Sequence, residues 1–304
     1  MVNIVVIGSI NMDLVMKVFR LPQKGETLTA DSFMTIPGGK GANQAVAVSR
    51  LGGKVSMIGA VGSDSYGDAL MKNLQENHIH TSGVKRDGPV SGNAMITVDQ
   101  QGDNTILVFP GANKQVTPQW IESQKCLIQK CDWVMLQLEI PMESVSCAIK
   151  LAKSMNKKVL LNPAPAVEIP QELYPLIDVL TPNETELALL SDMESLDLGA
   201  KELLKKGSKM VVATLGSEGS MAVTDEMQLH SPAFSIKAVD ATAAGDAFNG
   251  ALIVAIEEGK HISEALAFAN GAGAMAATVM GAQKSLPTRE SLDKFIEKQK
   301  MSAK

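Results

Sequence analysis

Short apolar β-rich runs alternate with amphipathic helical stretches along most of the chain, and this alternation restricts the fold more than any other feature of the sequence. The apolar runs end in Gly, Pro, Asn or Gln, which is typical of buried parallel strands. Between them, stretches such as GANQAVAVSRLGG place apolar residues three and four positions apart, as in an amphipathic helix. This order predicts an α/β fold with right-handed crossovers around a mostly parallel central sheet. The predicted strands are NIVVIGS from Asn3, KVSMIGAVG from Lys54, DWVMLQ from Asp132, KVLLNP from Lys158, DVLTPN from Asp178 and MVVATLG from Met210.

Two stretches, residues 14–39 and 93–113, break this alternation. Both alternate apolar and polar residues around glycine-containing turns, which is typical of half-buried hairpins. They cannot belong to a parallel core, so we predict a small antiparallel β sheet that projects from it as a lid, with segments at about residues 14–37 and 93–110. No internal repeat, low-complexity segment or linker interrupts the 304 residues, which predicts a single domain over residues 1–304.

The predicted lid also bears on the oligomeric state. Its hairpins would have one apolar face that nothing in the core covers, and an exposed apolar sheet favours pairing with another chain. Two copies related by a twofold axis would bury this face and seal each site. We therefore predict a homodimer formed through the lid.

The composition excludes several classes of protein. The formal net charge is −5 and Lys and Arg do not cluster, so we expect no nucleic-acid partner, which would need a positive surface. The longest uncharged stretch, residues 265–282, contains Asn270 and several glycines, and is predicted to be a packed helix and loop rather than a membrane span. The apolar run at the N-terminus lacks a preceding basic region, so we expect no signal peptide. The three cysteines match no zinc spacing, and the combined features predict a cytoplasmic protein.

Two polar motifs lie near the N-terminal end of the chain, beyond predicted strand ends, where ligands bind in open α/β sheets. In GSINMD, Asn11 and Asp13 could hydrogen-bond vicinal hydroxyls, or could belong to an Asx turn or a helix cap. GGKGANQA places Lys40 and an asparagine at a helix start, where free N–H groups can meet an anion. It is not a Walker A loop, because Gly41 follows the lysine where Ser or Thr is required, and GSINMD does not match the dinucleotide fingerprint.

Two further motifs follow later strands. In TPNETE, Asn183 and Glu186 would lie on one face of a helix start and could hold a hydrated Mg²⁺ through its water shell. Alternatively, Asn183 only caps that helix. TLGSEG, from Thr214 to Gly219, could let the backbone approach a nucleotide, or could form a hairpin turn.

The stretch VDATAAGDAFNGAL combines small residues and a carboxylate at a predicted helix start. If the helix begins near Gly245, the amides of Ala243, Ala244, Gly245 and Asp246 are unpaired donors that carry about half a positive charge, and the small side chains leave room for a phosphate. Asp246 beside this anion hole could accept a proton from a hydroxyl that attacks phosphorus. An aspartate in a first helical turn also compensates the helix dipole without any catalytic role.

These motifs, taken in order, resemble the ribokinase family of carbohydrate kinases over nearly the whole chain. AAGDAFNGAL and GGKGANQA are the most specific of them. The remaining matches are GSINMD, LE at Leu138 and Glu139, NPAPA from Asn162, TPNETE, TLGSEG and GAQKSLP. The resemblance implies a ribokinase-like three-layer α/β fold, and transfer of the γ-phosphoryl group of ATP to the primary hydroxyl of D-ribose, which gives ribose 5-phosphate. Alternative acceptors are 2-deoxyribose, a nucleoside or a hexose, and a non-catalytic sugar- or nucleotide-binding regulator would have the same fold.

The resemblance also implies roles for individual residues. Asp246 is implied to be the catalytic base, with Ala243, Ala244 and Gly245 as its anion hole. The implied sugar-binding residues are Asn11, Met12, Asp13, Gly39, Lys40, Gly41, Ala42, Asn43, Glu139 and Asp246. The implied ATP-binding residues are Asn183, Glu186, Thr214, Leu215, Gly216, Ser217, Glu218, Gly219, Gly245, Asp246 and Asn270.

The resemblance implies two metal ions in addition to ATP. Glu186 matches the acidic residue of the family's Mg²⁺ and phosphate motif. An activating monovalent cation, expected to be K⁺, would be bound by Asp240, Thr242, Ala276, Val279, Gly281 and Ser285, in several cases through backbone carbonyls. The sequence departs from the family pattern at Ala241, where a threonine is usual, which weakens the local hydrogen bonding but not the catalytic assignment.

Overall fold

The structure, a computed structural model, describes residues 3–101 and 103–302. The strands of this part of the chain are β1 (Asn3–Ile7), β2 (Asn11–Lys17), β3 (Ser32–Gly38), β4 (Lys54–Val61), β5 (His80–Arg86), β6 (Gly92–Val98), β7 (Asn104–Phe109), β8 (Trp133–Leu136), β9 (Lys158–Leu161), β10 (Val179–Leu180), β11 (Val211–Thr214), β12 (Ser220–Val223) and β13 (Gln228–Ser231). The helices are α1 (Lys40–Arg50), α2 (Ser65–Glu76), α3 (Pro118–Ser123), α4 (Lys125–Gln129), α5 (Met142–Ser154), α6 (Glu184–Ser191), α7 (Leu196–Lys205), α8 (Ala244–Glu257), α9 (Ile262–Ala277), α10 (Ala282–Ser285) and α11 (Arg289–Ser302). Short 3₁₀ helices span Gly111–Gln115, Gln171–Leu176 and Gly216–Glu218.

The central sheet has nine strands in the order β13-β12-β11-β10-β9-β8-β1-β4-β5. Every pairing from β11 to β5 is parallel, and β12 and β13 add antiparallel pairs at one edge. The α/β prediction is confirmed, and the six predicted strands correspond to β1, β4, β8, β9, β10 and β11. The sequence analysis missed β5, β12 and β13. Strands β5 and β13 are the two edges of the sheet, where one-sided pairing does not require a continuous apolar run, and β12 is a buried strand of only four residues, Ser220–Val223.

Helices cover both faces of this sheet, which gives the predicted three layers. Successive side chains of a strand point to opposite faces, so Ile4 and Val6 pack against α1, α8 and α9, while Val5 and Ile7 pack against α5 and α7. All four are almost completely buried. The uncharged stretch at 265–282 forms the buried part of α9 and the turn after it, as predicted. Among the described residues, no helix is both long enough and apolar enough to cross a membrane.

The second sheet has four strands in the order β3-β2-β6-β7. Its β2–β3 and β6–β7 pairs are antiparallel, as predicted for the small sheet, and a parallel β2–β6 pairing joins the two pairs. The strands β2 and β6 begin at Asn11 and Gly92, slightly before the predicted lid segments. Asn11 and Asp13 therefore lie in the first strand of this sheet, and the alternative of a turn or helix cap is wrong.

Candidate active site

The carboxyl ends of the central strands converge on the first turns of α1 and α8. Asp246, in the first turn of α8, is 6% exposed and accepts two side-chain hydrogen bonds from α1. Asn43 Nδ2 donates to Asp246 Oδ2 at 2.9 Å, and Gln44 Nε2 donates to Asp246 Oδ1 at 3.0 Å. Residues about two hundred positions apart in sequence thus form one buried polar site.

The carboxyl group of Asp246 has a raised pKa. Burial raises this pKa most strongly, and the negative charge of Glu139 adds to the effect. The positive charge of Lys40 and the two amide hydrogen bonds oppose the rise because they stabilise the ionised form. A buried carboxylate with this balance of interactions is typical of a catalytic acid or base.

The start of α8 corrects one part of the predicted anion hole. The helix begins at Ala244 rather than Gly245, after Ala243, which caps it in the left-handed conformation (φ 62°). The Ala244 amide donates to the Ala241 carbonyl at 3.1 Å, so it is not a free donor. The first helical hydrogen bond joins Ala247 N and Ala243 O, which leaves the amides of Gly245 and Asp246 ahead of it. A Cβ placed on Gly245 would meet no atom within 4 Å, so the space above this helix end is open.

Glu139 connects the loop after β1 to the start of α1. Its Oε2 accepts a hydrogen bond from Ser9 Oγ at 2.5 Å and one from the backbone N–H of Lys40 at 3.2 Å. Burial lowers the pKa of the Lys40 ammonium, but the charges of Asp246, Glu139, Glu186 and Asp13 outweigh this effect and raise it overall. Lys40 therefore stays charged among four carboxyl groups.

Asp13 faces the same cluster from strand β2. Burial, together with the negative charges of Glu139 and Asp246, raises its pKa from 3.8 to about 7, and Lys40 acts in the opposite direction. Its carboxyl group packs against Gly38, where a Cβ would lie 2.2 Å from Asp13 Oδ2. The next residue, Gly39, has φ 86°, and a Cβ there would lie 2.7 Å from the backbone nitrogen of Asn11. The glycine pair thus lets the lid strand approach the start of α1 closely.

The side chain of Asn11 is held by a residue that the sequence analysis missed. Asn113 Nδ2 donates to Asn11 Oδ1 at 2.7 Å, and Asn113 Oδ1 accepts from the Ile10 amide at 2.9 Å. The Asn11 oxygen is therefore occupied, and its NH₂ group is the donor that this side chain can offer. Two predicted sugar-binding residues, Met12 and Ala42, have side chains packed in the hydrophobic core, so these side chains take no part in the polar pocket.

A cavity of about 850 Å³ lies on the other side of the α8 N-terminus. Ala244 and Gly245 line one end of it. Of the predicted ATP-binding residues, Leu215 packs instead into the core. Glu186, Glu218 and Asp246 do not line the cavity either. The predicted residues that do line it, besides Gly245, are Asn183, Thr214, Gly216, Ser217, Gly219 and Asn270. Lining residues that the sequence analysis missed include Phe234, Phe248 and Gly273.

The Asn183–Glu186 pair forms a capping box at the start of α6. Asn183 Oδ1 accepts from the Glu186 amide at 2.8 Å, and Glu186 Oε2 accepts from the Asn183 amide at 2.9 Å. Asn183 therefore caps α6. Burial raises the pKa of Glu186, while the Asn183 amide and Lys40 lower it. The Glu186 carboxylate also lies close enough to Lys40 and Asp246 to interact with their charges.

The predicted monovalent-cation residues come from two segments that meet beside α8. Asp240 Oδ1 accepts from the Thr242 amide at 2.9 Å, and Asp240 Oδ2 accepts from the Gly281 amide at 2.8 Å. The Val279 amide donates to the Ala276 carbonyl at 3.3 Å, and the buried Ser285 hydroxyl donates within α10. Burial raises the pKa of Asp240, but the hydrogen bonds from Thr242 and Gly281 outweigh this effect and lower it.

Comparison with known proteins agrees with this site. The sequence profile of the pfkB family carbohydrate kinases matches residues 1–289. The ribokinase of Bacillus subtilis (strain 168) is 41% identical over 298 residues, which cover 97% of this chain and 99% of that protein. The deoxyribokinase of Salmonella typhimurium (strain LT2) is 36% identical over 301 residues, which cover 97% of this chain and 98% of that protein. The structure of Arabidopsis thaliana ribokinase complexed with ribose and ATP has a TM-score of 0.89 and 32% identity, and the match covers 97% of this chain and 98% of that one. The family predicted from the motifs is thus confirmed: the chain belongs to the pfkB family of carbohydrate kinases.

Proposed function

We propose that this protein transfers the γ-phosphoryl group of ATP to the 5-hydroxyl of D-ribose and releases ribose 5-phosphate. The observation that carries the proposal is the buried Asp246 carboxylate, which lies in a polar site and directly follows Ala244 and Gly245, two residues that line an 850 Å³ cavity. The relatives named ribokinase, and the related structure that contains ribose and ATP, support this pair of substrates.

The polar pocket has the hydrogen-bonding groups that a sugar requires. The carboxyl groups of Asp13 and Glu139 can accept hydrogen bonds from hydroxyls, and the NH₂ group of Asn11 can donate one. Asn43 Oδ1 is buried and has no hydrogen-bond partner among the described residues, while its Nδ2 donates to Asp246. A sugar hydroxyl would satisfy this oxygen beside the base. We assign Gly39, Lys40 and Gly41 to the same pocket because they form the start of α1 beneath it.

The chain offers a base for phosphoryl transfer, and hydrogen-bond donors and a positive charge that would stabilise the transferred group. Asp246 would accept the proton of the attacking hydroxyl. The hydrogen bonds from Asn43 and Gln44 would keep the carboxylate in a fixed orientation during this transfer. The amides of Gly245 and Asp246 would donate to the oxygens of the transferred group, at the positive end of α8. The charge of Lys40 would add to this stabilisation.

The residues present fit a hydrated Mg²⁺. Among the described residues, no three His, Cys, Asp or Glu side chains cluster as metal ligands, and Mg²⁺ commonly keeps most of its waters. We propose that Glu186, with one carboxylate oxygen turned toward its helix cap, holds such an ion through water. Bound there, Mg²⁺ would neutralise charge on the nucleotide phosphates.

We also propose activation by K⁺ at the site formed by Asp240, Thr242, Ala276, Val279, Gly281 and Ser285. These residues offer oxygen atoms only, which suits a hard cation, and the Asp240 and Thr242 carbonyls are covalently continuous with the peptides that start α8. An ion bound there would keep the Gly245 and Asp246 amides oriented toward the charge that develops on the transferred phosphoryl group.

At constant Mg²⁺ and ionic strength in a Tris buffer free of potassium, K⁺ is expected to raise turnover, or to lower the KM for ATP, by roughly fivefold or more. Na⁺ should do so less well because it is smaller than K⁺. Chloride salts of potassium, sodium and caesium would be titrated in parallel. Equal rates in all of them and without added salt would show that the loop is already rigid and would remove the cation from the proposal.

We propose a single kinase domain over residues 1–304, with the lid segments at 14–37 and 93–110. The exposed apolar residues of the lid support a homodimer of this domain. In strand β7, Leu107 and Phe109 on one face and Ile106 and Val108 on the other are all more than half exposed. This strand is also an edge of its sheet, with unpaired backbone groups. Light scattering at micromolar concentration should therefore give a dimer, and Leu107→Glu should shift it to the monomer and raise the KM for ribose.

Leu198→Glu is a matched control for the dimer, because Leu198 is 57% exposed but lies on α7, outside the lid. This variant should stay dimeric. A wild-type monomer with full activity would refute the dimer.

The free cysteines Cys126, Cys131 and Cys147 suit a reducing compartment and support a cytoplasmic location.

The acceptor is tested by turnover on D-ribose, 2-deoxyribose, a nucleoside and a hexose, with ATP and Mg²⁺ and a coupled assay for ADP. We expect the highest kcat/KM with ribose. The deoxyribokinase relative makes 2-deoxyribose the second candidate, because its sequence covers this chain equally fully. No ADP with any acceptor would refute the kinase and favour a binding protein of the same fold.

A further inference from the structure

A chain of buried amide side chains runs from Asp246 to the carboxyl ends of three central strands. Gln44 Nε2 donates both to Asp246 Oδ1, at 3.0 Å, and to Asn162 Oδ1, at 3.1 Å. Gln44 Oε1 accepts from Gln137 Nε2 at 2.6 Å, and Asn162 Nδ2 donates to the Thr181 carbonyl at 2.9 Å. Gln44 and Gln137 are fully buried, and Asn162 nearly so.

The three anchors of this chain follow three neighbouring parallel strands. Gln137 comes directly after β8, Asn162 after β9 and Thr181 after β10. The spacing of the strands therefore sets where the anchors lie. Gln137 Oε1 lies against Gly8, where a Cβ would be 2.0 Å away, and this oxygen has no hydrogen-bond partner among the described residues.

These contacts allow one orientation of the Gln44 amide. Its NH₂ group faces two oxygen acceptors, and its oxygen faces an NH₂ donor. The reversed amide would place its oxygen against the oxygens of Asp246 and Asn162, and its nitrogen against the Gln137 NH₂. A buried polar group without a partner lowers the stability of the fold. The residues at the carboxyl ends of the strands therefore hold the Gln44 donor toward Asp246 whether or not substrate is present.

We propose that Gln44 is a positioning residue for phosphoryl transfer: it fixes the carboxylate of Asp246 and keeps it ionised, through the amide chain anchored at the carboxyl ends of β8, β9 and β10. This inference rests on the proposed kinase function. Asn43 holds the other oxygen of Asp246, but its own oxygen has no hydrogen-bond partner among the described residues, so no second contact within the protein fixes its amide. Gln44 makes no contact that the sugar must complete.

The pH dependence of the reaction gives the proposal its test. The charged groups that interact with Asp246 are Lys40, Glu139, Asp13 and Glu186, and its hydrogen-bond donors are Asn43 and Gln44. Burial raises the pKa of Asp246 and the Gln44 hydrogen bond lowers it. Loss of this donor should therefore raise the pKa, so that a higher pH is needed to form the active base.

Two variants separate the donor from the shape of the side chain. Gln44→Met keeps the length but removes the donor, and Gln44→Glu keeps the shape but replaces the donor with a carboxylate. Both should lower kcat by roughly ten- to a hundredfold at neutral pH with little change in either KM. Both should also move the acid limb of kcat/KM upward by about one pH unit or more, with the larger shift for Gln44→Glu. Ser49→Ala is the matched control, since Ser49 lies on the same helix and loses one hydrogen bond, to the Asn77 carbonyl, away from Asp246.

A second measurement does not depend on turnover. ¹³C NMR of protein labelled at the aspartate carboxyl carbons, with Asp246→Asn to assign the resonance, gives the pKa of Asp246 directly in the wild type and in each variant. A higher pKa in both Gln44 variants supports the proposal. An unchanged pKa, or a Gln44→Glu variant with the pH profile of the wild type, overturns it even if stability falls. If the wild type phosphorylates no sugar, the proposed function fails, while the NMR titration still decides whether Gln44 controls the ionisation of Asp246.

Discussion

Asp246→Asn is expected to lower kcat by roughly a hundred- to ten-thousand-fold, while ribose and ATP still bind. Asparagine has the same shape, but it cannot take a proton from the attacking hydroxyl. Its NH₂ group would also face one of the two donors that now hold the carboxylate, Asn43 Nδ2 or Gln44 Nε2. Because proton transfer matters mainly in the transition state, the loss should appear in kcat rather than in binding.

Isothermal titration with each substrate and coupled ADP release would measure the two effects separately. Asp178→Asn is a suitable control: Asp178 is also largely buried, but it pairs with Lys153 and Lys209 just before β10, at the end of the strands opposite to the site. That variant should lose stability and keep its kcat. If Asp246→Asn retained more than about a tenth of wild-type turnover, Asp246 would be a helix-dipole residue and the proposed mechanism would be wrong.

Asp13→Asn is expected to lower kcat/KM for ribose by roughly thirty- to a thousandfold, which corresponds to about 2–4 kcal/mol, and to leave the KM for ATP nearly unchanged. The carboxyl group of Asp13 is buried beside Glu139 and Lys40, where a sugar hydroxyl would be its partner. Asparagine places an NH₂ group where an acceptor is needed. Unchanged ribose kinetics would place the acceptor site elsewhere.

The same substitution should stabilise the protein without ligand above neutral pH. The pKa of Asp13 is about 7 in the folded protein against 3.8 for an unperturbed carboxyl, so the folded state binds a proton that the unfolded state has already lost. Stability is therefore lost as the pH rises from about 4 to about 7, by at most about 4 kcal/mol. Calorimetry should show Asp13→Asn to be more stable than the wild type at pH 8, with no difference near pH 4.

Asp64→Asn is the control of opposite sign for this stability measurement. Burial raises the pKa of Asp64, but hydrogen bonds from Ser91 and Gly67 outweigh it and lower the pKa, so its ionised form stabilises the fold at pH 8. That variant should be less stable than the wild type. An Asp13→Asn variant that is also no more stable than the wild type at pH 8 would mean that Asp13 carries no burial penalty.

The sequence alone predicted most of the central sheet and pointed to Asp246 as the candidate base. Strands buried on both faces must be apolar throughout, so β1, β4, β8, β9, β10 and β11 were visible as short apolar runs. The edge strands β5 and β13 were not, because they need no such run, and the buried β12 was missed because it has only four residues. Asp246 was identifiable because the small residues before it mark a helix start with room for an anion, and this local signal needs no knowledge of distant contacts.

Only the tertiary structure decided which distant residues meet. The Ala244 amide is not a free donor because a turn to Ala241 uses it, and Asn113 and Gln44 act through partners far away in sequence. Gln137 and Asn162 were visible merely as polar residues at the ends of apolar runs. The order of the parallel strands brings them to Gln44, and a local pattern carries no information about that order, since each strand is joined to its neighbour by a long crossover rather than by a turn.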